Sequence, residues 1–101
     1  MWLRAFYPDL MVAAIPNGGA RKAKEAIKLK AEGVLAGMPD LLIAEPSNGF
    51  HGLFIEMKTD DGVVSQAQKR VHASLLMKGY AVQVCRSYDD GKIAVENYLN
   101  G

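Results

Sequence analysis

The sequence predicts an α/β fold: one domain over residues 1–101, with a small mixed β-sheet flanked by helices. Three observations carry this. Segments of helical and strand character follow in the order helix, strand, helix, strand, strand, helix, strand, helix, which neither an all-helical nor an all-β architecture produces. Residues 20–33 and 65–79 space their apolar side chains by three and four, whereas the strand candidates are short apolar runs closed by Pro, Gly or Asn. Finally, 101 residues of which 50% are hydrophobic suffice for one modest core.

The opening MWLRAFY is compatible with a helix and ends at Pro8, after which LMVAAI is an apolar run of strand length closed by Pro16, Asn17, Gly18 and Gly19. ARKAKEAIKLKAEG carries Ala20, Ala23, Ile27 and Ala31 among strong helix formers and stops at Gly33, the pattern of an amphipathic helix. Beyond the turn from Gly37 to Pro39, DLLIAE is the second strand. PSNG has hairpin character and leads antiparallel into the third strand, FHGLFIEMK. After the polar connection DDGVVS, SQAQKRVHASLLMKG is a helix capped by Ser65 and stopped by Gly79, with Ala67, Val71 and Leu75 on one face. YAVQVCR is a fourth strand. SYDDGKIAVENYLNG closes the chain with a short helix starting at Tyr88 or Lys92 and offering Ile93, Val95, Tyr98 and Leu99 for packing.

Composition narrows the function classes. A single cysteine, Cys85, forms no internal disulfide, and no Cys/His pair has zinc spacing, so a reducing, cytoplasmic setting is expected. The start lacks a signal-peptide core, and no run is long enough to span a bilayer, so no membrane partner is expected. Net charge is only +1, yet Arg21, Lys22, Lys24, Lys28 and Lys30 against Glu25 give +4 within ten residues and leave −3 for the rest. Such a basic stripe can face phosphates, or simply water.

The third strand holds the chemistry. Side chains alternate along a strand, so Leu53, Ile55 and Met57 share one face, plain core, while Phe54, Glu56 and Lys58 share the other. A hairpin partner beginning at Asp40 sets its carboxylate across from them. Two readings are open: an acid–lysine pair stabilising a sheet edge, or a site in which two hard oxygen ligands bind a divalent cation such as Mg²⁺ and the lysine orients or deprotonates water.

Pro39-Asp40, fifteen intervening residues and Glu56-Met57-Lys58 resemble the PD-(D/E)xK nuclease signature. AIPNGG before a basic helix, LKAEGVLAGMPDLLI, GLFIEMK and SQAQKRVHASLLMKGYAVQV resemble its virus-type replication-repair nuclease (VRR-NUC) branch across residues 10–90. That resemblance implies a restriction-endonuclease-like core and a Mg²⁺- or Mn²⁺-dependent endonuclease acting on DNA. It implies Asp40 and Glu56 as metal ligands, the Met57 carbonyl completing the metal shell, Lys58 as the catalytic lysine and Gln68 as the supporting glutamine. It also implies a homodimer acting on four-way junctions or flaps, in phage or bacterial replication and repair. The basic residues Arg21, Lys22, Lys24, Lys28 and Lys30 then grip the DNA backbone, and the turn at Asn17 contacts a phosphate. Relatives carry a glutamate on an N-terminal helix that leans into the site; here no acidic residue precedes Asp9, and the opening resembles the tail of that helix.

His51 and His72 read as structural residues and Trp2 as a packing residue. The competing functional expectations are a catalytically impaired nucleic-acid-binding module of the same fold, for which the missing glutamate argues, and a structural domain whose basic helix contacts protein or RNA.

Overall fold

The structure, a computed structural model, describes residues 2–16, 33 and 35–101, without the side chains of Trp2 and Arg4. The expected basic helix, with Arg21, Lys22, Lys24, Lys28 and Lys30, lies outside the described residues, as do Asn17 and the packing role read for Trp2.

Helix α1 (Trp2–Phe6) is followed by strand β1 (Val12–Ala14), β2 (Leu41–Ile43) and β3 (Leu53–Met57). Helix α2 (Gln66–Met77), β4 (Ala81–Cys85) and α3 (Tyr88–Asn100) complete the chain. The sheet runs in the order β1-β2-β3-β4, antiparallel across the first two pairs and parallel across β3 and β4. A mixed sheet follows from the connections. Strands β2 and β3 are joined by a hairpin, whereas β3 reaches β4 only through α2, and a crossover helix returns the chain parallel.

The hairpin tip is set by Asn48 and Gly49, whose φ values of 53° and 85° are the left-handed pair that a two-residue turn of this hand requires. Ser47 and Phe50 exchange backbone hydrogen bonds of 2.9 and 3.1 Å around it. Below the tip, residues 44–46 face only 51–52, so the ladder is bulged before the paired register begins at Ile43 and Leu53.

The core lies between the sheet and helices α1 and α3, where Leu3, Ile43, Leu53, Ile55, Cys85, Val95 and Tyr98 are buried together. Each large aliphatic side chain buried there contributes about 1.5–3 kcal/mol. Cys85 is a free thiol inside this core, its pKa pushed up chiefly by burial. Helix α3 starts at Tyr88, where the Ser87 hydroxyl accepts from the Asp90 amide at 3.1 Å, and runs for 13 residues, longer than the short helix expected. One packing expectation fails: Gly91, Val95 and Tyr98 form the buried stripe, and Ile93, off that stripe, is 55% exposed.

Helix α2 covers the opposite face of the sheet. Ser65 and Gln68 close a reciprocal capping box at its start, and Gly79, at φ +93°, ends it. No described helix is long and apolar enough to cross a membrane.

Candidate active site

Asp40 is held from three directions. Its amide donates to the Ile55 carbonyl at 3.0 Å, its carbonyl accepts from the Ile15 amide at 2.8 Å, and its carboxylate Oδ2 accepts from the Met57 amide at 2.7 Å. The approach to this position is equally constrained. Pro39 is fully buried, and Gly37 has φ +90° with its backbone so close to α2 that an added Cβ would lie 2.8 Å from the Ala67 carbonyl oxygen. Only glycine accommodates both demands.

The paired register ends at Leu41 and Ile55, and Asp40, the residue before it, donates its amide to the same Ile55 carbonyl, so its side chain comes beside that of Glu56, which it reaches by a hydrogen bond. Glu56 projects to the α2 side, where it meets His72, the face it shares with Phe54. Glu56 is 2% exposed, and β3 is an interior strand, so the alternative of an ion pair stabilising a sheet edge does not describe this position. The Glu56 carboxyl is pushed up to about 7, first by burial and then by a hydrogen bond and charge repulsion from Asp40, with Lys58 pulling the other way.

Lys58 continues β3 by donating its amide to the Cys85 carbonyl at 2.9 Å. Its ammonium is near enough to lower the pKa of both Glu56 and His72. Two carboxyls and a lysine therefore converge on one face at the end of the central strand pair. The next turn is clamped by Arg86, whose Nη1 donates to the carbonyls of Thr59, Asp60 and Gly62 at 2.8, 3.3 and 2.7 Å. This clamp joins the lysine-bearing strand end to the segment that enters α2.

Met57 serves two faces. Its side chain lines an apolar cavity of about 680 Å³ with Leu3, Phe6, Leu41 and Tyr88, on the α1 and α3 side. Its amide is turned to Asp40, and strand parity turns its carbonyl to the same side. Among the described residues, no group of three or more His, Cys, Asp and Glu side chains converges to hold a metal, so an ion between Asp40 and Glu56 needs this carbonyl and solvent or phosphate oxygens as well. The donor chemistry fits. All three are hard oxygens, and a cation between the carboxyls would favour the ionised form of Glu56 against the burial and the nearby Asp40 that raise its pKa.

Gln68 stands in the first turn of α2 above this face, with its side-chain oxygen accepting from the Ser65 amide at 2.9 Å. The residue that sequence reasoning missed is His72. Its Nε2 lies 3.2 Å from Glu56 Oε1, and its pKa is lowered by burial and by Lys58. The available signal was its spacing of four from Gln68, which sets both on one helix face. His51 packs edge-on against Tyr80 at 5.7 Å and against Gly79, away from this site.

This mixed sheet, with its order of Asp40, Glu56 and Lys58, is an α/β nuclease-like core. The chain belongs to the VRR-NUC family: the VRR-NUC domain matches residues 4–89. Among solved structures it is similar to a "VRR_NUC domain protein", with a TM-score of 0.76 and 31% identity over 88% of this chain and 67% of the other. No curated protein matches the sequence. Family membership carries a nuclease-type function, with DNA as the partner class and the general divalent-metal dependence of these enzymes.

Proposed function

We propose that the chain is a single-domain, Mg²⁺- or Mn²⁺-dependent endonuclease that hydrolyses DNA phosphodiester bonds and prefers branched substrates, four-way junctions or flaps. The observation that carries this reading is Asp40 side by side with buried Glu56, carboxyl to carboxyl, with the Lys58 ammonium in electrostatic reach. Asp40, Glu56 and the Met57 carbonyl are the groups that would hold the ion. When bound, a divalent cation supplies Lewis acidity toward a non-bridging phosphate oxygen and acidifies water.

Lys58 orients the attacking water and offsets the negative charge that builds on the phosphorus centre. As the water oxygen gives up a proton to solvent and bonds to phosphorus, the bond to the 3′-oxygen breaks and that oxygen takes a proton from solvent, giving a 5′-phosphate and a 3′-hydroxyl. Gln68 supports the site from the first turn of α2 through its side-chain amide. Asn17, Arg21, Lys22, Lys24, Lys28 and Lys30 contact backbone phosphates, which positions the duplex without reading its sequence. Two copies related by a two-fold axis present two such sites to a branched substrate. The biological setting is phage or bacterial replication and repair, in the cytoplasm of the infected or bacterial cell.

The second reading is a catalytically impaired nucleic-acid-binding module of the same fold. Nicking of a four-way junction, a flap and a linear duplex in Mg²⁺ or Mn²⁺, alongside the mass in solution, separates the two. The nuclease cuts, fastest on the branched substrates and as a dimer, and an impaired module binds without cutting. Replacing Lys28 and Lys30 with Ala flattens the salt dependence of binding by about one log–log unit per lost phosphate contact.

A further inference from the structure

His72 belongs to no part of the arrangement that the family signature names, yet it touches Glu56, the most deeply buried carboxyl among the described residues. Its Nε2 lies 3.2 Å from Glu56 Oε1, with 13% of the histidine side chain and 3% of the glutamate side chain accessible. A glutamate has three side-chain torsions, and at the end of a strand nothing in its own backbone selects the rotamer that points at Asp40. The imidazole comes from a different element, and that element is rigid. Helix α2 is closed at its start by the Ser65–Gln68 capping box, and its first turn meets the Gly37 backbone on the approach to Asp40. One helix thus touches both the loop that delivers Asp40 and the carboxyl of Glu56.

We propose that His72 is a positioning residue that fixes the Glu56 carboxylate toward Asp40, so that the two carboxylates present one preformed site to a divalent cation. The Nε2–H tautomer donates to Oε1 of the ionised glutamate and leaves the rest of the carboxylate for Asp40 and the ion. The inference rests on Asp40 and Glu56 being the metal-binding pair. Partners that orient metal-binding carboxylates carry a large share of a site's affinity, and their loss costs roughly 10–100-fold in metal binding or activity.

The test compares the parent with His72→Phe, which keeps an aromatic ring but no donor, and His72→Gln, which returns an N–H at similar reach. Two readouts are taken on each: Mn²⁺ affinity by calorimetry without DNA, and the Glu56 rotamer in a crystal structure. The expected result is a loss of about tenfold in Mn²⁺ affinity for H72F with Glu56 swung away from Asp40, and recovery of both in H72Q. Unchanged affinity and an unmoved Glu56 in H72F overturn the proposal, as does an H72Q protein that behaves like H72F. If the parent itself binds no Mn²⁺, the metal reading fails, and the Glu56 rotamer in H72F still decides the role of His72. A variant that does not fold is replaced by His72→Asn, judged by the same two readouts.

Discussion

The carboxylate of Asp40 accepts a hydrogen bond from the Met57 backbone amide at 2.7 Å, across the strand pair that also carries Glu56. One candidate ligand is thereby tied to the backbone of the strand that bears the other, which fixes their separation without any metal. Asp40→Ala and Glu56→Ala should each abolish metal-dependent nicking while the fold survives. Losing Asp40 strands the Met57 amide at a cost of about 1–3 kcal/mol, partly offset by removal of the repulsion on Glu56. Melting curves and nicking assays on the same preparations check this; either variant cutting at the parent rate refutes the ligand assignment.

The raised carboxyl of Glu56 makes a pH prediction. Its folded value of about 7 stands above the ordinary 4.5, so between those values the folded protein keeps a proton that the unfolded chain releases. The metal-free protein therefore gains stability on acidification through that window, and the contribution is lost as pH rises toward 7. Metal binding runs the other way, with Mn²⁺ affinity rising as pH climbs and a proton released on binding at about pH 6. Calorimetry in buffers of different ionisation enthalpy counts that proton.

Lys58→Ala separates catalysis from grip. Turnover should fall by about 10²–10⁴-fold with DNA affinity nearly unchanged. Because the ammonium lowers the pKa of His72, its removal should also raise that value, which imidazole NMR resonances report directly. Unchanged turnover with weaker binding would assign Lys58 to the DNA backbone.

Gly37→Ala should damage the site from a distance. The new Cβ meets the Ala67 carbonyl at 2.8 Å and the backbone sits at φ +90°, so about 1–3 kcal/mol of strain must be absorbed by the loop into Asp40 or by α2. Thermal melting should drop, and Mn²⁺ affinity should fall with it; a variant with parent stability and affinity would show that this contact is dispensable.

Much of this arrangement was legible in the sequence because it depends on local rules. Alternation along LFIEMK separates Ile55 from Glu56 by face, the Asn48-Gly49 turn fixes a hairpin, and Ser65 with Gln68 announces a capped helix. Pairing that hairpin brings Asp40, just before β2, beside Glu56. The contact of His72 with Glu56 was not legible, because it depends on how α2 settles on the sheet and a histidine among apolar neighbours reads as packing. Nor was the Arg86 clamp, in which one guanidinium reaches carbonyls 24 to 27 residues earlier, a relation with no sequence period. The exposure of Ile93 shows the same limit: an apolar residue in a helix is buried only if the stripe it belongs to faces the core.

The most direct measurement is anomalous diffraction from a crystal of the parent protein soaked in Mn²⁺. The predicted result is a peak within coordination distance of an Asp40 carboxylate oxygen, a Glu56 carboxylate oxygen and the Met57 carbonyl, lost in crystals of Glu56→Ala. A protein that nicks DNA in Mn²⁺ but shows its ion elsewhere, with no density between Asp40 and Glu56, would contradict the account.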